Sequence, residues 1–378
     1  MPEPFKNLFN AHVIDAMAEH LGRVHPPFDV GGFATEAQHG LEDLELKARA
    51  AQITDALERY LPDDFPQAVA VLTGSLDPVT DAPVDALQSG ATDRGIRGWA
   101  VMPMADYVAR RGLGDVPLSL DALKAMTMRF SSEFAIRPFL IHHPQDTLRA
   151  LTAWRTHENE HVRRLVSEGS RPRLPWGIQL KAFIRDPAPV LDLLEGLKDD
   201  ASEYVRRSVA NNLNDISKDH ADVAAATARS WMKDADQNRE RLVRHAMRTL
   251  IKAGHADALK ALGYGKPKVR LERFSLSSAG IALGETLAFD VEIASAAKSA
   301  QPLILDYAIH HVRANGKTSP KVFKWKSLEL PGGETFSANK RHTIKPVTTR
   351  RYYAGTHSVE ILVNGQSLGR KDFELKLT

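Results

Sequence analysis

ENEHVRRLVSEG (158–169), ASEYVRRSVANN (201–212) and RERLVRHAMRTL (239–250) align on Val162, Val205 and Val243, at intervals of 43 and 38 residues. That period is the length of a helical hairpin stacked in a repeat array, in which each copy buries its apolar stripe against the next. In every copy a polar turn leads into a helix that begins V-R-R or V-R-H. The pairs Arg163/Arg164, Arg206/Arg207 and Arg244/His245 therefore recur at equivalent points of neighbouring hairpins. Such a stack presents a concave surface, and a basic stripe along it suits a polyanion. The plainer alternative is that one arginine per copy bonds to an adjacent turn and holds the stack.

The period is that of HEAT-type hairpins, and the residues around it extend the helical reading over 1–262. LEDLELKARAAQITDALERYL (41–61) carries apolar residues at steps of three and four, as an amphipathic helix does. The same period recurs near 84–88, 98–112, 119–130, 145–154 and 189–197. The texture changes after 267. VRLERFSLS, ETLAFDVEIAS, LILDYAIHHVR, KVFKWKSLEL and HSVEILVNG read as strands, separated by GKTSP, PGGE and Asn-Gly pairs at 315–316 and 364–365. Short strands in this number predict an immunoglobulin-like β-sandwich over 268–378. GYGKP at 263–267 reads as a linker. The expected architecture is a HEAT-like helical repeat solenoid followed by that sandwich.

The 378 residues include no cysteine, which removes disulfides and thiolate metal sites. MPEPFKNLFNAH lacks the basic-then-apolar pattern of a signal peptide, and no apolar run is long enough to span a bilayer. A cytoplasmic, bacterial-style protein with no membrane partner is expected. Net charge is +3, unevenly placed: from 268 onward 17 Lys and Arg face 10 Asp and Glu. A basic C-terminal module adds salt-sensitive attraction to a polyanion, although a solvated basic surface explains the same count.

HENEH (157–161) matches H-E-x-x-H, the zinc-peptidase pattern of two histidines one helical turn apart. The repeat alignment argues against that chemistry. It sets His157 opposite Asp200 and Asn238, residues at home in turns and caps, and His161 opposite Tyr204 and Leu242. A histidine before the helix and one inside it do not share a helical face, so no metal site is predicted.

Two carboxylates stand out by their setting. Glu133 lies in RFSSEFAIRPFL among Phe130, Phe134, Ile136 and Phe139, and Glu168 lies one turn after Arg164, just before Gly169. A carboxylate in apolar surroundings is paired, hydrogen-bonded or functional. For Glu133 the plain reading is an ion pair with Arg137 one turn on. The loop after Glu168 adds Arg171 and Arg173 for phosphates and Trp176 for stacking, stiffened by Pro172 and Pro175. A lone tryptophan, however, more often packs in a core.

RFSSEFAIRPFL, HVRRLVSEGSRPRLPWG and YVRRSVANNLNDISKDH resemble the signature segments of AlkC-type DNA alkylation repair glycosylases. PFKNLFN at 4–10 and GLEDLELKARAAQITDAL are similar to that family's N-terminal pattern. The resemblance covers roughly 4–262, and some members carry a basic immunoglobulin-like module such as 268–378. It implies a metal- and cofactor-independent hydrolase that cleaves the N-glycosidic bond of cationic lesions, notably 3-methyladenine and 3-methylcytosine, in double-stranded DNA; no lysine stands out as a Schiff-base nucleophile, so a monofunctional glycosylase is expected. A monomer is expected.

Glu133 and Glu168 match the motif carboxylates and are the catalytic candidates. Their expected work is to stabilise an oxocarbenium-like sugar and direct water onto it. Arg163, Arg164, Arg171, Arg173, Arg206, Arg207, Arg244 and Asn211 are candidates for holding DNA, with Trp176 near the exposed nucleotide. Lys340/Arg341 and Arg350/Arg351, read as near loops, are further DNA-contact candidates. One departure matters: the resemblance leads one to expect an Asp in the turn before H-V-R-R, where this chain has His157. As a cap that exchange is mild; at a catalytic position it would put activity in doubt. The competing readings are a catalytically inactive HEAT-repeat protein binding distorted or branched DNA, and a protein-binding scaffold.

Overall fold

The turns between helices are written in Asn, Asp and Pro, and in the computed structural model they act as caps. Side chains of Asn10, Asp29, Asp64, Asp115, Asn159 and Asp236 each accept a hydrogen bond from a backbone N–H in the first turn of the helix that follows. Each such cap contributes about 1 kcal/mol. The structure describes residues 4–80, 90–347 and 350–377, so the helical period near 84–88 lies outside the described residues.

Twelve α-helices precede residue 219 among the described residues. They are α1 (Ala11–Val24), α2 (Val30–Gln38), α3 (Leu46–Tyr60), α4 (Phe65–Gly74), α5 (Val101–Arg111), α6 (Val116–Thr127), α7 (Arg137–His142), α8 (Pro144–Trp154), α9 (Glu160–Gly169), α10 (Lys181–Arg185), α11 (Ala188–Glu195) and α12 (Glu203–Ile216). α9 packs on α12. Both bury stripes at helical spacing, Val162, Leu165 and Val166 on one and Val205, Val209 and Leu213 on the other. Each fully buried Val or Leu contributes about 1.5–3 kcal/mol. The sequence alignment thus fell on the two helices that form one contact.

By packing, the chain divides between Asp219 and His220. The second unit holds α13 (Ala221–Trp231), α14 (Gln237–Ala246), α15 (Arg248–Lys252) and α16 (Ala256–Ala261), then β1 (Val269–Leu276), β2 (Gly280–Ala282), β3 (Thr286–Ser295), β4 (Gln301–Val312), β5 (Thr318–Leu330), β6 (Thr335–Thr343), β7 (Gly355–Val363) and β8 (Gln366–Lys376). Two sheets, ordered β1-β3-β6 and β2-β8-β7-β4-β5, make a sandwich. All pairings are antiparallel except β2 with β8. Period-two positions Leu287, Phe289, Val291 and Ile293 of β3 meet Leu303, Leu305, Tyr307 and Ile309 of β4 in one core.

Asn364 and Gly365 both take positive φ, 46° and 73°, as a two-residue hairpin turn requires. Asn364 also bonds Ile304 N and Gly265 O, tying the 263–267 stretch to the sandwich. Gly254, just past α15, abuts this turn so closely that a Cβ on Gly365 would lie 2.1 Å from its Cα. Strands β2, β6 and β8 were not read from the sequence. β6 is an edge strand with polar residues on its open face, and it carries Lys340 and Arg341, which therefore lie within a strand and not in a loop. Lys340 Nζ sits 5.8 Å from the Tyr307 ring centre.

Candidate active site

α9 sends Arg164 and Glu168 from the same face, one turn apart, towards the turn that joins α6 to α7. There Ser131 and Glu133 face them. Arg164 Nη1 donates to Glu133 Oε2 at 2.7 Å and to Ser131 Oγ at 2.9 Å, while Nη2 lies 3.6 Å from Glu168 Oε1. Ser131 Oγ in turn donates to Glu133 Oε2 at 2.9 Å. One guanidinium therefore bridges both candidate carboxylates. Tyr204 of α12 lies over it at 4.9 Å and is backed by the His161 ring at 5.7 Å. Glu133 does not pair with Arg137; that arginine is fully buried and donates to Gly169 O and Ile178 O at 2.8 and 2.6 Å.

The two carboxylates differ in their remaining contacts. Glu168 uses both oxygens: Oε1 accepts from Arg171 Nη1 and Oε2 from Ser208 Oγ, each at 2.6 Å. Burial alone would raise its pKa, but the charges of Arg164 and Arg171 and the Ser208 hydrogen bond outweigh burial and hold it below the usual carboxylate range. Burial likewise opposes the Arg164 charge, yet Glu133 and Glu168 outweigh it and raise the guanidinium's pKa. Arg171 continues the chain to Asp215 Oδ2 at 2.8 Å, and Lys218 binds the other Asp215 oxygen at 2.7 Å. Among the described residues Glu133 has its bonds on Oε2 alone, and its side chain is 16% exposed against 7% for Glu168. One oxygen of Glu133 is thus left for a visitor.

Both carboxylates line a cavity of about 480 Å³. Its opposite wall is aromatic: Phe5, Trp99 and Phe130, with Trp99 4.8 Å from Phe130 and 6.5 Å from Phe5. PFKNLFN therefore places Phe5 and Leu8 at the pocket. Trp176 completes the rim. It is 65% exposed, contrary to the expectation of core packing, and its φ of 66° is rare for a residue with a bulky side chain. Its loop is held from below by Arg137 at Gly169 O and Ile178 O, and by Lys47, which donates to Trp176 O.

The other arginines divide by role. Arg163 grips Asp200 with two bonds, 2.6 and 3.0 Å, and caps the carbonyls of His157 and Glu158. Arg206 caps the equivalent carbonyls of Asp200 and Ala201. Arg173 forms a two-pronged pair with Asp219, 2.7 Å on each side. Arg207 is exposed and pairs with Glu203 at 3.0 Å. Arg244 bonds and stacks on Tyr264. Asn211 lies partly buried on α12, and Arg351 lies over Tyr353 in the loop that also carries Arg350.

His157 accepts from Asn159 N at 3.0 Å through Nδ1, as Asp200 Oδ1 accepts from Ser202 N at 2.8 Å in the next copy. The histidine therefore does the turn-forming work of the expected Asp. It precedes α9, whereas His161 is buried within it. Ser131, Ser208 and Asp215 were not singled out from the sequence; Tyr204 entered that reading only as the residue opposite His161, and Arg137 only as the expected partner of Glu133.

Residues 270–377 match a family described as "Uncharacterised protein YhaZ, C-terminal Ig-like domain". Over 374 residues the chain is 36% identical to "Uncharacterized protein YhaZ" of Bacillus subtilis (strain 168), covering 98% of this chain and 99% of that one. Its fold is similar to a solved structure of Pseudomonas fluorescens alkylpurine DNA glycosylase AlkC bound to DNA containing an abasic site analog. The TM-score is 0.88 and identity 38%, over 99% of this chain and 100% of the other. Agreement in both sequence and fold along essentially the full length means that this chain belongs to the AlkC-type family of DNA alkylation repair glycosylases.

Proposed function

We propose that the chain is a monofunctional DNA glycosylase acting on cationic N3-alkylated bases such as 3-methyladenine and 3-methylcytosine in double-stranded DNA. The observation that carries this reading is the pair Glu133 and Glu168, held beside one open pocket by a shared arginine. A base alkylated at N3 is positively charged and is already a good leaving group. As the C1′–N bond breaks, its electron pair neutralises the base and the sugar acquires the positive charge. Glu168, with both oxygens fixed, acts as a preorganised anion for that oxocarbenium-like sugar. Glu133, with one open oxygen, orients the water that attacks C1′ and takes its proton. A pocket whose positive groups already oppose these carboxylates excludes a loose negative well; selectivity then comes from the alignment of charge with the sugar.

Trp176 sits at the rim, where it can pack on an exposed nucleotide. We assign phosphate contacts to Arg173, Arg206, Arg207, Asn211, Arg244, Lys340, Arg341, Arg350 and Arg351. Arg163, Arg164 and Arg171 act through the groups they hold. On this reading 1–262 is the glycosylase module, 268–378 a DNA-binding module, and the chain works as a monomer in the cytoplasm.

The test uses DNA treated with N-methyl-N-nitrosourea, with and without EDTA, and measures released bases and abasic sites. Release of 3-methyladenine that survives EDTA and is lost in Glu133→Gln and Glu168→Gln is the expected result. Tight DNA binding without release would support the inactive DNA-binding reading instead.

A further inference from the structure

Trp176 is shown to solvent at a conformational cost. It is 65% exposed, and its φ of 66° lies in the left-handed region that bulky side chains rarely adopt. Such a backbone persists only where its surroundings over-determine it, and such strain gathers at functional sites. Two cations supply the constraint. Arg137, fully buried, donates to Gly169 O and Ile178 O, and a Cβ added to Gly177 would come within 3.3 Å of its Nε. It seats the stem of the loop. Lys47 reaches from α3 across 129 positions and donates to the carbonyl of Trp176 itself, at the strained residue.

The same end of α3 holds another part of the pocket mouth. Glu45, the residue that caps α3, pairs with Lys6 at 3.0 Å, and the buried Arg49 donates to Phe9 O at 2.8 Å. These bonds fix the short 3-10 helix Phe5–Leu8, which brings Phe5 and Leu8 to the cavity. Phe5 and Trp176 are the most exposed large apolar side chains among the described residues, and both line the cavity that holds Glu133 and Glu168. We propose that the start of α3 is a brace that sets the mouth of this pocket, and that Lys47 is a positioning residue acting through Trp176, holding the indole ready for the nucleotide beside the lesion. The choice of a nucleotide rests on the glycosylase reading of the pocket. A side chain fixed before DNA arrives has no ordering left to undergo, so the brace raises affinity without touching the reacting atoms.

The rival role for this exposed lysine is a direct phosphate contact, and a double-mutant cycle separates the two. Binding of a duplex carrying an abasic-site analogue is measured for the wild-type protein, Lys47→Met, Trp176→Ala and the double variant, over a range of salt. Lys47→Met is expected to weaken binding about 10-fold, to leave the salt slope unchanged and to add nothing in the Trp176→Ala background. Lys47→Arg, which keeps a donor, is expected to recover most of the loss. A loss that persists in the Trp176→Ala background, or a salt slope lowered by about one, makes Lys47 a phosphate contact and overturns the proposal. Wild-type affinity in Lys47→Met overturns it too. A second readout needs no DNA. In the free protein the emission contributed by Trp176, taken as the difference from Trp176→Phe, is expected to lose residual anisotropy in Lys47→Met while the unfolding midpoint holds. Unchanged anisotropy overturns the brace; Lys47→Gln repeats the set should the methionine variant fold poorly. Base release by the wild-type protein is scored separately, so failure of the glycosylase reading is visible on its own.

Discussion

α9 and α12 begin with the same three letters, V-R-R, and use them differently. The first arginine behaves alike in both: Arg163 and Arg206 each cap the carbonyls six and five residues back. That is a property of the repeat, because the turn and the helix start recur together. The second arginine diverges. Arg164 is held between Glu133 and Glu168 with its side chain 17% exposed, whereas Arg207 is 67% exposed and, among the described residues, pairs with Glu203 alone. The helix places both side chains equivalently, and what lies opposite decides their use. A scaffold position became part of a site where the α6–α7 turn brought Glu133 against it.

The largest expected difference between the two helices follows from breaking that contact. Arg164→Met removes the cation shared by the two carboxylates but leaves Glu168 with Arg171 and Ser208 and Glu133 with Ser131, so urea unfolding should show a loss of about 1.5–3 kcal/mol, the scale of a hydrogen bond to a charged group. Arg207→Met should change stability by less than about 0.5 kcal/mol, as exposed pairs do. Equal losses would mean that Arg164 is no more than another repeat arginine.

Catalysis sharpens the contrast next. Glu133→Gln or Glu168→Gln should lower single-turnover release of 3-methyladenine by about 10²–10³-fold, the scale for one preorganised electrostatic group. Glu203→Gln, which removes the partner of Arg207, should leave the rate unchanged. The Glu168 pKa is lowered in the folded protein, so its ionised form favours folding. That contribution is present above the unfolded value of about 4.3 and is lost as pH falls through the lower folded value. Unfolding curves taken between neutral pH and pH 3 should therefore be flatter for Glu168→Gln than for the wild-type protein.

The shared behaviour is tested by Arg163→Ala and Arg206→Ala. Each uncaps two carbonyls, so both should lose about 1–3 kcal/mol. Arg163 should lose more, since Asp200 also loses its ion-pair partner, while base release per folded Arg163→Ala molecule stays the same. The smallest effect is expected from His157→Asp. The new side chain can accept from Asn159 N as Asp200 accepts from Ser202 N, and stability and base release should shift by no more than about 0.5 kcal/mol and twofold. A large gain in rate would show that the turn position takes part in the chemistry.

Much of the fold was legible because it is local. The three-and-four spacing in 41–61 became α3, the Val162 and Val205 alignment found two helices in contact, and the Asn-Gly pair at 364–365 found a hairpin turn. β6 and β8 were missed because their open faces carry Asn, Lys, Arg and Asp, which blunt alternation in TFSANKRHT and QSLGRKDFELK. In the candidate site, Glu133 and Glu168 were visible from their apolar or helix-end settings. Their connection was not, since Arg164 reaches Glu133 across 31 positions and Ser208 reaches Glu168 across 40.

Sequence alone therefore determined the helices, their caps, the repeat that stacks them and the change to strands, all of which depend on neighbours within a few residues. Only tertiary structure decided which of two identical arginines would be drawn between two carboxylates, and which carboxylate would keep an oxygen open. It also set the indole of Trp176 at the rim of the catalytic cavity. Those outcomes depend on groups from distant turns meeting at one place, and no local pattern records which ones will meet.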